Sequence, residues 1–454
     1  MSKAALHTVI IGNGIAGVTT ARTLRKHSSE ARITLVSSET PHFFSRTALM
    51  YVYMGHMPFQ NTKPYADDFW PKNRIELRQE HVHGVDFGRR VLTFAGGGSL
   101  SYNQLVLATG SKPAFYGWPG QHFKGVQGLY SYQDLQSLEA CTPAPGQKDH
   151  PCKQAVIVGG GLIGIELAEM LLSRGVQVTM LVRESHFWGN VITPAESERI
   201  TAHARSHGLV VRTAAELSHI EGDSAGQAVA IHTTLGERIP CQVVGITTGV
   251  QPNVDFLRGS DLLIGKGIVV NDFLESNIAG VYAAGDCAEI AHPMPGRRSI
   301  EPVWYTGRMM GEALGATLAG VRTPYRPGPW FNSAKFFDME YQTYGQVQPR
   351  PGPEHAHWHV SLPGHNRFAT VAYHPDTLLF HGINAFGIRL RHAYFHDALR
   401  RGDSVTKVVG GIHDACFDGE FSTPWHKVFK EAFTRDTGIE LPGPAQSLKN
   451  WFLL

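Results

Sequence analysis

Two glycine-rich segments of one pattern, Gly12-Asn13-Gly14-Ile15-Ala16-Gly17 and Gly159-Gly160-Gly161-Leu162-Ile163-Gly164, each follow a short apolar run. In a strand-to-helix turn of the G-x-G-x-x-G kind, the first glycine makes the tight bend and the second lets backbone approach a pyrophosphate. The third lets the helix pack on the strand. The phosphates then face the positive end of a helix dipole. His7 to Ile11 and Ala155 to Val158 read as buried parallel strands, and Ile15 to Lys26 and Leu162 to Ser173 as the helices that follow. The pattern predicts two nucleotide-binding α/β halves, an arrangement suited to passing electrons from one nucleotide to another.

A chain of 454 residues predicts two to three domains of about 100–200 residues each. Hydrophobic content of 42%, charged content of 18% and 49 glycines fit an α/β enzyme rather than a disordered or fibrous chain. A formal net charge of +2 gives no reason to expect nucleic-acid binding or a polybasic membrane role. No stretch approaches the roughly 20 apolar residues of a membrane span. The N-terminus enters its first strand without a signal-peptide pattern, which predicts a cytoplasmic protein. The cysteines, Cys141, Cys152, Cys241, Cys287 and Cys416, form no C-x-x-C pair, so neither a zinc knuckle nor an adjacent redox disulfide is expected. They read as mostly buried small hydrophobes. A Cys141–Cys152 bridge across the intervening Pro/Gly/Lys-rich loop stays open as an alternative, although a cytoplasm would keep it reduced.

Three further segments carry a resemblance. Tyr102 to Pro113 is an apolar strand ending in Ala108-Thr109-Gly110, and Gly245 to Asn253 repeats its strand-Thr-Gly-x-x-Pro logic. Gly280 to Glu289 supplies a strand, a turn at Gly285 and a carboxylate, Asp286, at a predicted helix start. With the two fingerprints, these resemble the flavin-dependent pyridine-nucleotide oxidoreductases that include ferredoxin, rubredoxin and putidaredoxin reductases, NADH oxidases and glutathione reductase. The resemblance runs from Thr8 to about Gly320 and more loosely from Phe331 to about Gly402. It implies an α/β fold with two Rossmann-like, glutathione reductase-type domains and an α+β C-terminal interface-like domain, and leaves a homodimer open. The implied boundaries are 1–118 and 253–325 for the FAD-binding domain, 119–252 for the NAD(P)-binding domain, and 326–454 for the interface-like domain with its extension.

The resemblance also implies roles. Gly12, Gly14, Ile15, Ala16 and Gly17 would hold the FAD pyrophosphate, with Ala108, Thr109, Gly110 and Gly285 beside the cofactor. Asp286 would accept hydrogen bonds from the ribityl hydroxyls. The usual ribose acid after the second strand is replaced by Ser37 and Ser38, which leaves Glu39 as the candidate, against a solvated loop charge. Gly159, Gly161, Leu162, Ile163, Gly164 and Gly249 would serve the nicotinamide nucleotide, with Glu166 near the nicotinamide and the flavin. NADH-specific relatives tend to carry glutamate where Val182 stands. Arg183 matches the first of two arginines that clamp the extra phosphate of NADPH, while Gly189 occupies the second. Arg183 beside Glu184 therefore leaves the choice between NADH and NADPH open.

Disulfide and peroxide reductases of the group place cysteine shortly after the ribose acid. Here the chain reads Pro41-His42-Phe43-Phe44-Ser45-Arg46-Thr47-Ala48-Leu49, with Arg46 near the peroxidase cysteine position. This is closer to the Tyr-Ser-Arg-Pro-x-Leu of ferredoxin and rubredoxin reductases, so a ferredoxin- or rubredoxin-like iron-sulfur carrier is the implied acceptor. Glu166, Arg46 and Trp304 are the candidate catalytic residues. Two departures point to a divergent subgroup. The family's lysine near the glutamate is replaced close to Tyr51, and its Glu-x-Trp becomes Glu301-Pro302-Val303-Trp304. Trp304 would guide electrons or simply wall the flavin. The alternatives are reduction of oxygen, a quinone or another small acceptor, and a redox-sensing flavoprotein resembling apoptosis-inducing factor.

At the C-terminal end, Phe331 to Phe337 and Thr377 to Gly387 read as strand regions, the latter leading into a helix. From Asp403 onward no family motif is found, and Trp451-Phe452-Leu453-Leu454 suits packing on the protein, on a dimer mate or on a bilayer surface. Strand alternation in His355-Ala356-His357-Trp358-His359 would set three imidazoles on one face. No acid or cysteine accompanies them, so no metal centre is expected. Arg389, Arg391, His392, Arg400 and Arg401 form a basic stretch that would attract an acidic carrier or simply be solvated.

Overall fold

The computed structural model describes residues 6–147, 149–364, 366–417 and 425–442, so the Trp451–Leu454 terminus lies outside the described residues. The chain divides into two compact units, Met1–Arg183 with Gly208–Pro327, and Glu184–His207 with Gly328–Leu454.

The first unit holds two five-stranded sheets of the same design. In one, His7–Ile11 is central, flanked by Arg32–Ser37 and Ile75–Gln79 on one side and by Gln104–Leu107 and Val281–Ala283 on the other. In the other, Gln154–Val158 takes the central place, with Gln177–Val182 and Val210–Thr213 on one side and Val243–Ile246 and Val126–Gln127 on the other. All pairings are parallel, and both sheets show the 3-2-1-4 order of a mononucleotide-binding half. His7–Ile11 is buried along its whole length and reads as a continuous rather than alternating strand, as a sheet covered on both faces requires. The helix Ile15–His27 lies against Trp304–Leu318. There Gly311 and Gly315 let the two helix backbones approach, because a Cβ at Gly311 would stand 2.6 Å from the Ala16 carbonyl.

Asp286 does not start a helix. The residues after it form the short strand Ala288–Ile290, paired in parallel with Ile268–Val270, and the next helix begins at Trp304. The run Cys287-Ala288 is fully buried, and that burial together with the ladder outweighs the capping preference of an acidic residue.

The second unit is built on an antiparallel sheet in the order Phe331–Phe336, Met339–Gly345, Phe380–Phe386, Phe368–Tyr373, Ala356–Ser361. Helices His392–Arg401, Val405–Gly410 and Trp425–Thr437 accompany it. Trp358 meets Phe429 and Phe433 edge-on at 4.8 and 5.0 Å, so the described part of the extension belongs to this unit's core. Sequence reading places residues 184–207 in the NAD(P)-binding domain, but that segment groups with the antiparallel sheet. Within it, Phe187 meets Phe336 edge-on, and the buried Glu196 accepts a hydrogen bond from Asn384 at 3.2 Å. Among the described residues no helix is long and apolar enough to cross a membrane.

Candidate functional site

The two glycine turns are near copies in three dimensions. Gly12 and Gly159 both adopt φ +111°, a region where only glycine is unstrained. A Cβ on Gly12 would stand 2.0 Å from the Ala108 carbonyl oxygen, and one on Gly159 would stand 2.6 Å from that of Thr247. A Cβ on Gly17 or Gly164 would likewise stand 2.0 or 2.4 Å from the Gly12 or Gly159 carbonyl oxygen. Gly14 and Gly161 cap their helices without any side-chain bond, whereas Ser131 and Thr193 cap theirs with full capping boxes. The first-turn N–H groups behind Gly14 and Gly161 are thus left to a ligand. A Cβ at Gly14 would meet nothing within 4 Å, the open side a pyrophosphate needs.

The Thr-Gly-x-x-Pro repeats meet each other. Ser111–Pro113 pairs antiparallel with Val250–Pro252, and the bonds around this ribbon are mirrored. Thr109 Oγ1 donates to the Asn253 carbonyl at 2.8 Å, and Thr248 Oγ1 to the Ala114 carbonyl at 3.0 Å. The Asn253 and Ala114 N–H groups donate to the Gly110 and Gly249 carbonyls in turn. The repeat is a local two-fold joint between the two halves of the unit.

A cavity of about 980 Å³ opens at this joint. It is lined by Gly12, Gly14, Ile15, Ala16, Glu39, Arg46, Ala108, Thr109, Gly110, Gly285 and Asp286, and also by Ile163, Glu166 and Trp304. Ile163 and Glu166 lie one turn apart on Leu162–Ser173, so the second fingerprint helix reaches the same space as the first. Gly17 is not in the lining because it is spent on helix packing. Gly159, Gly161, Leu162, Gly164, Arg183 and Gly249 also lie outside this lining, and Glu184 belongs to the other compact unit, where it accepts from Asn190. A shallower recess of about 490 Å³ beside Arg32, Trp70 and Arg74 lies away from both turns and contains none of the predicted residues.

One wall of the cavity is a polar network that links widely separated segments. Arg46 holds both Glu39 oxygens, at 2.9 and 2.6 Å, and donates to the Tyr130 carbonyl. Burial works against the guanidinium charge, but the Glu39 hydrogen bonds and charge raise its pKa on balance. Glu39, the candidate ribose acid, also accepts the Tyr132 N–H at 2.8 Å, so it is first of all the anchor of Arg46 and of the helix Tyr132–Cys141. Asp286 accepts from Ser111 Oγ at 3.1 Å and from the Tyr130 hydroxyl at 3.3 Å, and that hydroxyl accepts the Ser111 N–H. Burial pushes the Asp286 carboxyl up, opposed by those hydrogen bonds and by Arg46. Sequence reading missed Tyr130 and Ser111. Its available signal was the Ser131-x-x-Asp134 capping box, which marks the turn that carries Tyr130.

Trp304 is 37% exposed at the first turn of Trp304–Leu318. The loop before it is held by Arg297 and Glu301, a buried pair at 2.5 Å. Tyr51, at the family's lysine position, is outside the cavity lining and stacks on His56. Among the described residues no cysteine lines the cavity. Cys287 adjoins Asp286 but is buried, donates to the Leu107 carbonyl, and has its thiol pushed up by burial. In the histidine-rich strand, His355 precedes the strand and pairs with His381 at 2.9 Å, while His359 bonds Thr370. The buried His357 Nε2 has no hydrogen-bond partner, and its ring lies 6.1 Å from that of His359.

The residues present fit FAD: an uncapped helix start with an open glycine for a pyrophosphate, and a buried carboxylate aimed at the cavity for hydroxyls. The second turn repeats the phosphate cradle for NAD(P)H. Residues 6–311 match the model of the family described as pyridine nucleotide-disulphide oxidoreductase. A 5,5'-dehydrodivanillate O-demethylase ferredoxin reductase subunit of Sphingobium is 30% identical over 74% of this chain and 81% of its own length. An NADH oxidase of Methanocaldococcus jannaschii is 28% identical, covering 74% and 75%. The crystal structure of a ferredoxin reductase for the CYP199A2 system from Rhodopseudomonas palustris shares the fold with TM-score 0.80, at 22% identity over 94% of this chain and 99% of that one.

Proposed function

This chain belongs to the pyridine nucleotide-disulphide oxidoreductase family, and on that premise we propose that it passes electrons from NAD(P)H through FAD to a ferredoxin- or rubredoxin-like carrier. The observation that carries the reading is the shared cavity: the Gly12–Gly14 turn and the Ile163–Glu166 helix face line one space, with Trp304 beside them and no thiol in the lining. When bound, the flavin accepts a hydride from the nicotinamide and can release electrons singly. The residues of the chain supply position. Gly12, Gly14 and the helix start hold the pyrophosphate, Asp286 holds the ribityl hydroxyls, and Tyr130 with Arg46 keeps Asp286 oriented. Gly159, Gly161 and Gly164 would hold the second nucleotide, with Ile163 and Glu166 of the same helix facing the flavin's cavity, and orientation of the two rings would lower the barrier to hydride transfer. Without a cysteine in the cavity, electrons have no thiol relay and leave directly to an outside acceptor. The relatives named as ferredoxin reductase subunits and rubredoxin-NAD(+) reductases support a protein carrier. The NADH oxidase relative supports a second reading, oxygen as acceptor. An NAD(P)H-consuming reductase of this kind belongs in the cytoplasm.

Anaerobic stopped flow decides among these. Flavin bleaching with NADH and NADPH is followed, and then oxygen, a quinone, a ferredoxin and a rubredoxin are mixed in separately. Rapid reoxidation only by an iron-sulfur protein supports the carrier reductase, and rapid reoxidation by oxygen supports the oxidase. A long-lived reduced complex with every acceptor overturns both and favours a sensor.

A further inference from the structure

In the second unit, the C-terminal end of the helix Pro194–Ser206 faces the tight turn between strands Phe331–Phe336 and Met339–Gly345. His203 and His207 are four residues apart, so their imidazoles share one side of the helix. Phe337, at φ +57°, makes the reversal that brings Asp338 over them. Asp338 Oδ1 lies 2.8 Å from His203 Nε2 and 3.4 Å from His207 Nε2, and the three potential ligand atoms all lie within 4.8 Å of one another.

We propose that His203, His207 and Asp338 bind one divalent transition-metal ion of the zinc class, with water in the fourth position. Bonds of about 2.0–2.2 Å in a tetrahedral site place ligand atoms about 3.3 Å apart, close to the two contacts already present. The remaining separation closes by rotation of the exposed partners: the His203 side chain is 2% exposed, but His207 is 32% and Asp338 69% exposed. His203 thus forms a fixed wall, and the two others are adjustable. The Phe337 ring lies 4.6 Å from the His207 ring and 6.3 Å from that of His203, which gives both an apolar flank.

The second nitrogen of His203 is also provided for. Its Nδ1 is 2.7 Å from the Asn366 side-chain amide. With the amide oxygen turned toward the ring, Nδ1–H donates and Nε2 presents its lone pair to the ion, the usual outer support of a metal-bound imidazole. Without metal, Nε2–H instead donates to Asp338 and to the Phe336 carbonyl, 3.2 Å away. The ion would clip the helix carrying both histidines to the first hairpin of the antiparallel sheet. This is a structural role, distinct from the flavin chemistry.

The full-length, flavin-loaded protein is stripped with EDTA, dialysed, and titrated with Co2+ and then Zn2+. We expect one equivalent of Co2+ to give the visible bands of a four-coordinate centre, Zn2+ to displace it, and Zn2+ to raise the thermal midpoint. H207A and D338N, both at exposed positions, should each weaken binding by about tenfold or more and abolish the Zn2+-dependent midpoint shift, with flavin content unchanged. H355A with H381A should leave binding intact. Absence of saturable binding, binding of several ions insensitive to H207A and D338N, or loss of binding only in the H355A/H381A protein would each overturn the site.

Discussion

Arg46 and Glu39 face each other fork to fork, each guanidinium nitrogen within 2.9 Å of a different carboxylate oxygen. Their seven-residue separation spans the loop that closes one side of the cavity, and the Tyr132 N–H bond to Glu39 ties that loop to the following helix. The planar match is specific to arginine, because lysine keeps the charge but not the paired donors.

Arg46→Lys therefore loses the second Glu39 bond and the Tyr130 carbonyl contact together. Because both side chains keep some solvent exposure, the loss should be modest, about 1–2 kcal/mol. It should appear as a lower thermal midpoint and a several-fold weaker hold on flavin. Equal midpoints with full flavin occupancy would show that the fork is dispensable.

The fingerprint glycines should separate folding from binding. Gly17→Ala drives a Cβ into the Gly12 carbonyl, and neither backbone can yield without parting helix from strand. A loss of about 2 kcal/mol or more follows. Gly14→Ala meets open space, so the apoprotein should melt like wild type while flavin binding drops, because the added methyl occupies the ligand's side. Matching melting and flavin contents in the two variants would remove this distinction.

The parts legible in sequence are those governed by near neighbours. The strands and helices around Gly12 and Gly159 follow from apolar runs and glycine spacing, and the same glycine-to-carbonyl contacts recur in both turns. Asp286 lines the cavity but does not start the helix expected there, because the partner strand Ile268–Val270 is supplied by chain outside the motif. Tyr130 was invisible for the same reason: its hydroxyl reaches Asp286 across 156 residues, and no local pattern encodes that contact. Glu39 and Arg46 were both singled out, yet their pairing was not, since each was read against a ligand rather than against the other. The two Thr-Gly-x-x-Pro segments were seen as a repeat, and only the antiparallel register of Ser111–Pro113 with Val250–Pro252 reveals them as one joint.

Arg183 is the candidate reader of the extra phosphate of NADPH. If its guanidinium meets the extra phosphate of NADPH, Arg183→Ala should raise the apparent KM for NADPH by about tenfold and leave NADH nearly unchanged. Steady-state kinetics with both nucleotides measure this. Equal changes for the two would count against phosphate recognition by this residue.

Asp286 ties the stability of the flavin-free fold to pH. Burial pushes its carboxyl above the ordinary carboxylate value, so in the flavin-free folded protein it keeps a proton that the unfolded chain has released. Below the unfolded value of about 3.9 both states are protonated and this stabilisation is fully present. It is lost as pH rises through the folded pKa, because the folded state binds more protons across that interval. Asp286→Asn, neutral at every pH, should lack this fall, so thermal midpoints of the deflavinated wild type and variant should converge in acid and separate as pH rises, with wild type the lower. The same variant cannot accept with two oxygens, and Asp286→Ala cannot accept at all. Both should purify with less flavin, alanine with the least. Parallel midpoint curves would mean that Asp286 does not carry the pH dependence, and full flavin in the alanine variant would remove its role at the ribityl chain.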